Sequence, residues 1–345
     1  RLSVRVSTSG RFMMPPYRFA ICLLVWICIG QSITRALELD SNAPVLIKDV
    51  PHVLQKPDFC GEACVASWLQ KNGLPVDQDA VFDASGLDPS LGRGCYTKEL
   101  ATAIRNFGID PGPVWHRVSV ADSTKHLQLQ WDALVTDLRR GIASIVCMRT
   151  REGVGATEHF RLLLGYDSRT DEVIYHEPGK PAAAYQRMPR SELLRLWPLK
   201  YQADEWLLIR IRLGRSMRQN VTAPSSFTSA DYAQHVMKLK GRLPGDDFTI
   251  LIEHPFVVIG NESRADVERR AEQTVRWATK RLKTEYFSKD PSKILDVWLF
   301  KDRATYESCA LRLFGEKPST PYGYFSPSDG ALVMNIATGG GTLVH

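Results

Sequence analysis

The sequence predicts an α+β protein in two parts. Three observations lead there. Between about residues 40 and 213, amphipathic helical segments come first and aliphatic strand-like runs follow, which suits helices packed on an antiparallel sheet. The polar stretch "LGRSMRQNVTAPSSFTSADY" then interrupts the chain and places a linker at 214–226. Strands, a long amphipathic helix and further strand–helix alternation occupy 227–345, a second and shorter α+β domain that breaks off early.

In "GEACVASWLQKNG", Cys64, Val65, Trp68 and Leu69 share one helical face and Gly73 stops the helix. "TKELATAIRNFG" is a second helix, with Thr97 as its expected N-cap and Gly108 as its stop. "QWDALVTDLRRG" is a third, ending at Gly141. "IASIVCMRT", "HFRLLLGYD", "DEVIYHEPG" and "EWLLIRIRL" follow; each is rich in aliphatic or β-branched residues and bounded by turn formers. In the second part, "DFTILIEHPFVVIGN" reads as a hairpin broken at His254-Pro255. "ADVERRAEQTVRWATKRLKTEYF" is a long helix, "KILDVWLF" a strand, "RATYESCALRLFG" a helix and "GALVMNIA" a strand.

Charge argues against a nucleic-acid partner. Of the net charge of +6, residues 1–36 supply five arginines and no acid, so the remainder is close to neutral. The same N-terminal segment has the order of an export signal: Arg18, an apolar run from Phe19 to Gly30, then small and polar residues up to Ala36. That run is shorter than the roughly 20 residues that span a bilayer. Residues 1–36 are therefore expected to be a signal peptide cleaved near Thr34-Arg35-Ala36, or a signal anchor. Met13 or Met14 is a more natural start than Arg1, so residues 1–12 read as an extension. The protein is expected to be exported: periplasmic, extracellular, or held at the membrane through that segment alone.

Beyond the signal, five cysteines remain: Cys60, Cys64, Cys95, Cys147 and Cys309. An odd number in an exported chain leaves at least one thiol unpaired within it. Cys60 stands just before the helix that Gly61 opens, where orphan N–H groups and the helix dipole favour a thiolate. Cys64 lies a turn deeper, on the apolar face. His159 begins a buried-looking strand and suits a base held on rigid structure. "YHEPG" ends the next strand, so hairpin pairing brings Glu177 near His159. Gln55 offers an amide to an oxyanion. Structural readings stand beside these. Cys60 also fits a packed thiol and His159 a satisfied core histidine. A Cys64–Cys95 disulfide would leave Cys60 free, and a Cys60–Cys95 disulfide would remove the nucleophile. Zinc at Cys-x3-Cys lacks a second Cys/His pair.

The ordered set "Q-x4-CGEAC" from Gln55, "HFRLLLGYD" from His159 and "EPG" at Glu177 resembles the bacteriocin-processing leader peptidases over about residues 50–185. The resemblance implies a papain-like cysteine peptidase fold, with Gln55 as oxyanion donor, Cys60 as nucleophile and His159 as base. The family's third residue is usually Asp; here it is Glu177, one methylene longer, with Asp167 as the fallback. No cofactor is implied for this domain, and the expected partner is a peptide or protein substrate. The implied activity is exported thiol hydrolysis of amide bonds. The alternatives are an inactive papain-like binding module, or a non-protease amidase or acyltransferase.

In the second part, "YGYFSPSDGALVMNIATGGGTLVH" resembles the lead-in to the His-Glu-x-x-His helix of gluzincin-type zinc metallopeptidases. His345 would then be the first zinc ligand, completed only if the motif continues beyond the chain. Catalytic zinc needs three protein ligands, so metallopeptidase activity is expected only of a longer parent protein.

Overall fold

Two β-sheets organise the molecule, and the apolar runs of the sequence supply their central strands. The structure is a computed structural model that describes residues 43–215 and 227–339. The expected N-terminal signal segment, most of the expected linker and His345 lie outside the described residues. From Val45 onward the chain is one compact unit.

The first sheet and its helices run in the order Val45–Leu46 (β1), Cys60–Lys71 (α1), Gln78–Ser85 (α2), Thr97–Asn106 (α3), Trp115–Ser119 (β2), Ser123–Arg139 (α4), Ala143–Arg149 (β3), Glu158–Asp167 (β4), Glu172–His176 (β5), Gln186–Pro189 (β6), Arg190–Leu196 (α5) and Glu205–Leu213 (β7). The sheet is antiparallel throughout, in the order β2-β7-β3-β4-β5-β6, with β1 added against β4. This is the expected α+β arrangement, consistent with a papain-like fold. Strand β3 shows why its sequence is nearly all apolar: Ala143, Ile145 and Cys147 enter the core beneath α1 and α3, while Val146 and Met148 enter a second core beneath α4 and α5. A strand covered on both faces has no reason to alternate.

Helix α1 is buried from Gly61 to Leu69 without a solvent face. Small residues make that possible. A Cβ on Gly61 would stand 2.7 Å from Leu100 Cδ2 and 3.2 Å from Phe160 Cδ2. The far end of α4 is tied to β7 by charge: Asp137 accepts Arg210 Nη2, Arg212 Nε at 2.7 Å and Arg212 Nη2 at 2.9 Å. Two expected boundaries move. Tyr96, not Thr97, is the N-cap of α3, its N–H donating to Glu99 Oε2 at 3.1 Å. Helix α4 begins at Ser123, because "STKHLQL" is half-exposed and has nothing to break it.

The second part comprises Ser229–Lys240 (α6), Thr249–Glu253 (β8), Phe256–Gly260 (β9), Arg264–Arg270 (α7), a π-helical turn at Ala271–Val275, Arg276–Glu285 (α8), Leu295–Phe300 (β10), Arg303–Phe314 (α9), Gly323–Ser326 (β11) and Ala331–Asn335 (β12). Its sheet is mixed, ordered β11-β12-β10-β9-β8, with β9, β10 and β12 parallel and an antiparallel strand at each edge. The β8–β9 hairpin turns at His254-Pro255, as the sequence suggests, through a cis peptide. Helices α6 and α9 cover one face, and α7 with the π turn covers the other.

The two parts share packing through α6. Ala230 and Ala233 lie in the first core, beneath α2. Ala230 N–H donates to Asp83 Oδ1 at 2.9 Å, and Lys240 Nζ donates to the Leu91 carbonyl at 2.5 Å.

Candidate active site

The loop before α1 is pinned at both ends. Gln78 Oε1 accepts Lys56 N–H at 2.7 Å, and Gln78 Nε2 donates to the Leu54 carbonyl at 3.0 Å. Gln55 N–H between them donates to the Pro178 carbonyl at 2.9 Å. That bond draws the loop against the turn that follows β5, where Glu177 sits.

Three of the four expected residues converge there. His159 Nε2 is 2.5 Å from Glu177 Oε1. A Cβ on Gly179 would lie 3.2 Å from Glu177 Oε1 and 3.5 Å from both Gln55 Oε1 and His159 Cε1. Glu177 is held on all sides: Arg161 Nε donates to Oε2 at 2.8 Å, Gly179 N–H to Oε1 at 3.0 Å, and the Glu177 carbonyl meets His52 Nε2 at 2.9 Å. Burial alone would push this carboxyl up. The hydrogen bond and charge of His159, the charge of Arg161 and the Gly179 amide outweigh it and hold Glu177 at about 2. With Nε2 taken by the carboxylate, Nδ1 is the imidazole nitrogen left for chemistry.

Cys60 comes to the same strand by a different route. Strand β5 stops opposite Leu162, so the edge of β4 beyond it is open. The thiol of Cys60 faces the Phe160 amide, and Cys64 Sγ donates to the Phe160 carbonyl at 3.8 Å. Cys60 is thus one residue from His159 along β4. The hydrogen bonds of the site include none directly between thiol and imidazole. The thiol is half-buried rather than open.

One sequence expectation is overturned. Cys60 is not before the helix but its first residue, with Phe59 as N-cap. Nor is its thiol acidified. Burial pushes it up to about 11, and the carboxylates of Glu62 and Asp58 add to that against the Phe160 and Gly61 amides. A few orphan amides cannot offset desolvation together with two nearby negative charges. Cys64 is fully buried and burial pushes its thiol well above the ordinary range, as its place on the apolar face suggests.

Neither candidate disulfide forms, for all five described cysteines are unpaired. Cys95 instead faces Glu62, whose Oε1 accepts the Cys95 N–H at 2.7 Å. Glu62 is wholly buried, and desolvation pushes it up to about 7. Asp167 does not serve as the fallback partner. It lies at the other end of β4 and pairs with Arg169 at 3.0 Å and Arg187 at 3.4 Å. His345 lies outside the described residues, and among those described no group of three or more His, Cys, Asp or Glu could hold a metal ion.

Sequence reasoning passed over Arg161, Asp58 and Glu62. Arg161 had a signal: two residues after His159 in a strand, it had to share that face. Asp58 and Glu62 flank Cys60 directly, but nothing in their spacing shows that Glu62 would be buried.

Residues 47–204, a little under half of the chain, match the model of the Peptidase_C39 like family. No curated protein matches the chain. The family match supports a papain-like cysteine peptidase domain over that stretch.

Proposed function

We propose that the C39-like domain at residues 47–204 is an exported thiol hydrolase that cleaves peptide bonds, with Cys60 as nucleophile, His159 as general base, Glu177 as its orienting acid and Gln55 as oxyanion donor. The observation that carries this reading is the meeting of Gln55, His159 and Glu177 around Gly179, with the Cys60 thiol at the Phe160 amide next door. The order of charge, apolar run and small residues at 18–36 supports export.

The chemistry follows from which proton is held where. A thiol pushed up by burial and by two carboxylates rests protonated. Its proton therefore leaves as sulfur attacks the substrate carbonyl carbon, passing to His159 Nδ1. Glu177 accepts from Nε2–H, fixing the tautomer and stabilising the imidazolium. The carbonyl oxygen takes the charge and the Gln55 amide donates to it. Collapse of the tetrahedral intermediate breaks the C–N bond, and His159 returns the proton to the departing amine. Water, deprotonated by the same imidazole, then attacks the thioester; the acid is released and the proton returns to sulfur. None of these steps calls on a metal. Loss of one oxyanion donor costs about 10²–10³ in rate, and that is the scale expected for Gln55→Ala.

A second reading has its own support. The raised thiol and the missing thiol–imidazole bond also suit a papain-like module that binds peptides without cutting them. An amidase or acyltransferase would use the same steps on another acyl group. Full-length protein is incubated with casein and with a fluorogenic dipeptide amide, wild type against Cys60→Ala and His159→Ala. Hydrolysis lost in both variants supports the peptidase; hydrolysis of the small amide alone supports an amidase. No turnover of either substrate by folded wild type sinks catalysis and leaves the binding module.

A further inference from the structure

A cleft of about 850 Å³ opens between the loop before α1 and the second sheet. Its size is that of ligand-binding clefts. One wall is Lys56-Pro57, directly after Gln55 and three residues before Cys60. The opposite wall is α6, with Gln234, His235 and Lys238, and the segment Lys293–Leu295. Gln234 Nε2 donates to the Pro57 carbonyl at 2.9 Å and joins the two walls. One wall of the cleft is therefore the stretch of chain that lies between the proposed oxyanion donor and the proposed nucleophile.

Its free charge is positive. Asp231 caps α6, accepting Thr228 N–H at 2.9 Å and Thr228 Oγ1 at 3.2 Å, and offsets one of the lysines. Asp329 accepts Ser326 Oγ at 2.6 Å and faces Arg242 at 3.9 Å. Asp296 is taken by His235 Nε2 at 2.6 Å. Lys56 pairs with Asp79. Lys238 and Lys293 are exposed, and among the described residues neither has an ion-pair partner. The lining also carries apolar side chains, Phe227, Ile294 and Phe325, the last half-exposed.

We infer that this cleft seats an acidic, extended stretch of the polypeptide substrate, with an apolar side chain among its carboxylates, and leads it to Cys60. A nucleic acid fits less well, because the chain beyond residue 36 is close to neutral and offers no broad basic face for a phosphate backbone. The inference rests on the peptidase reading for its destination, but not for the binding itself. It also gives the second sheet a part in substrate selection.

The test uses the full chain carrying Cys60→Ala, so that nothing is turned over. Two fluorescein-labelled decapeptides are compared by anisotropy, one Glu-rich and one Lys-rich, each with the same Leu and Phe. The Glu-rich peptide is expected to bind at least tenfold more tightly, and to weaken as salt rises. Lys238→Glu with Lys293→Glu should lose at least tenfold; both side chains are exposed, and circular dichroism checks the fold. Equal affinity for the two peptides, or indifference to the charge reversal, overturns the inference. So does tighter binding of a 20-nucleotide single-stranded DNA that the reversal abolishes. Casein hydrolysis by the wild type reads the catalytic proposal separately. Acidic-peptide binding without hydrolysis keeps the cleft and removes the peptidase, and hydrolysis without such binding does the reverse.

Discussion

Replacing Glu177 with Gln should change stability in a way that depends on pH. The carboxylate accepts from His159, Arg161 and Gly179, and it is 5% exposed. Gln keeps one acceptor oxygen but presents an amide N–H₂ to Arg161, whose guanidinium is itself buried. Breaking a buried charge pair costs about 3–5 kcal/mol. The titration of Glu177 gives an independent figure. Its pKa falls from 4.5 to about 2 on folding, and at about 1.4 kcal/mol per unit that is about 3 kcal/mol. The sign follows from the depressed value: the contribution is full above the unfolded pKa near 4.5 and is lost as pH falls toward 2. Urea unfolding of wild type and Glu177→Gln at pH 7, 4 and 2.5 reads it directly. Other depressed carboxylates, Asp137 and Asp167 among them, titrate in both proteins and cancel in the difference. The gap should be about 3 kcal/mol at pH 7 and shrink to about 1 kcal/mol at pH 2.5. A gap that stays constant across that range, or one below about 0.5 kcal/mol at pH 7, would refute the role given to this carboxylate.

The remaining predictions concern neighbouring groups. Alkylation of Cys60 by iodoacetamide, followed by peptide mapping, should accelerate about tenfold per pH unit from pH 8 toward 10; a plateau below pH 8 would mean a preformed thiolate. Glu62→Gln removes a carboxylate that raises the thiol and should speed that labelling at pH 8 several-fold, so unchanged labelling argues against the electrostatic account. Asp137→Ala strands Arg210, 3% exposed, and should cost about 3–5 kcal/mol in urea unfolding. Gly94→Ala places a Cβ 1.9 Å from the Asp58 carbonyl, so the loop ahead of α1 must shift. Lower thermal stability together with altered Cys60 labelling is the expected result.

Much of the fold was legible because its signals were local. The largely apolar runs of β3 and β4 and the turn formers after β5 announced the sheet. Gln55, His159 and Glu177 were legible as a set because strand pairing brings "HF" and "HEPG" to one end of a hairpin. What escaped was shorter or less local. Strands β1 and β6, two and four residues long, have no length over which a period could show. The state of Cys60 could not be read from its helix position, because desolvation and the burial of Glu62 depend on Cys95 and Phe160, 35 and 100 residues away. Local sequence displays the amides that would acidify a thiol, but not the enclosure that opposes them.

Helix α6 belongs by sequence to the second part and by packing to the first. Ala230 and Ala233 complete the first core, and a Cβ on Gly92 would already be 2.8 Å from Val236 Cγ1. A gene cut at residue 214 would therefore leave the first sheet and its helices with an uncovered apolar seam along α2. Recombination that moved this half into another protein would need to carry about 27 further residues, through Lys240, or supply a substitute lid. The packed unit is thus longer than the stretch of residues 47–204 matched by the family.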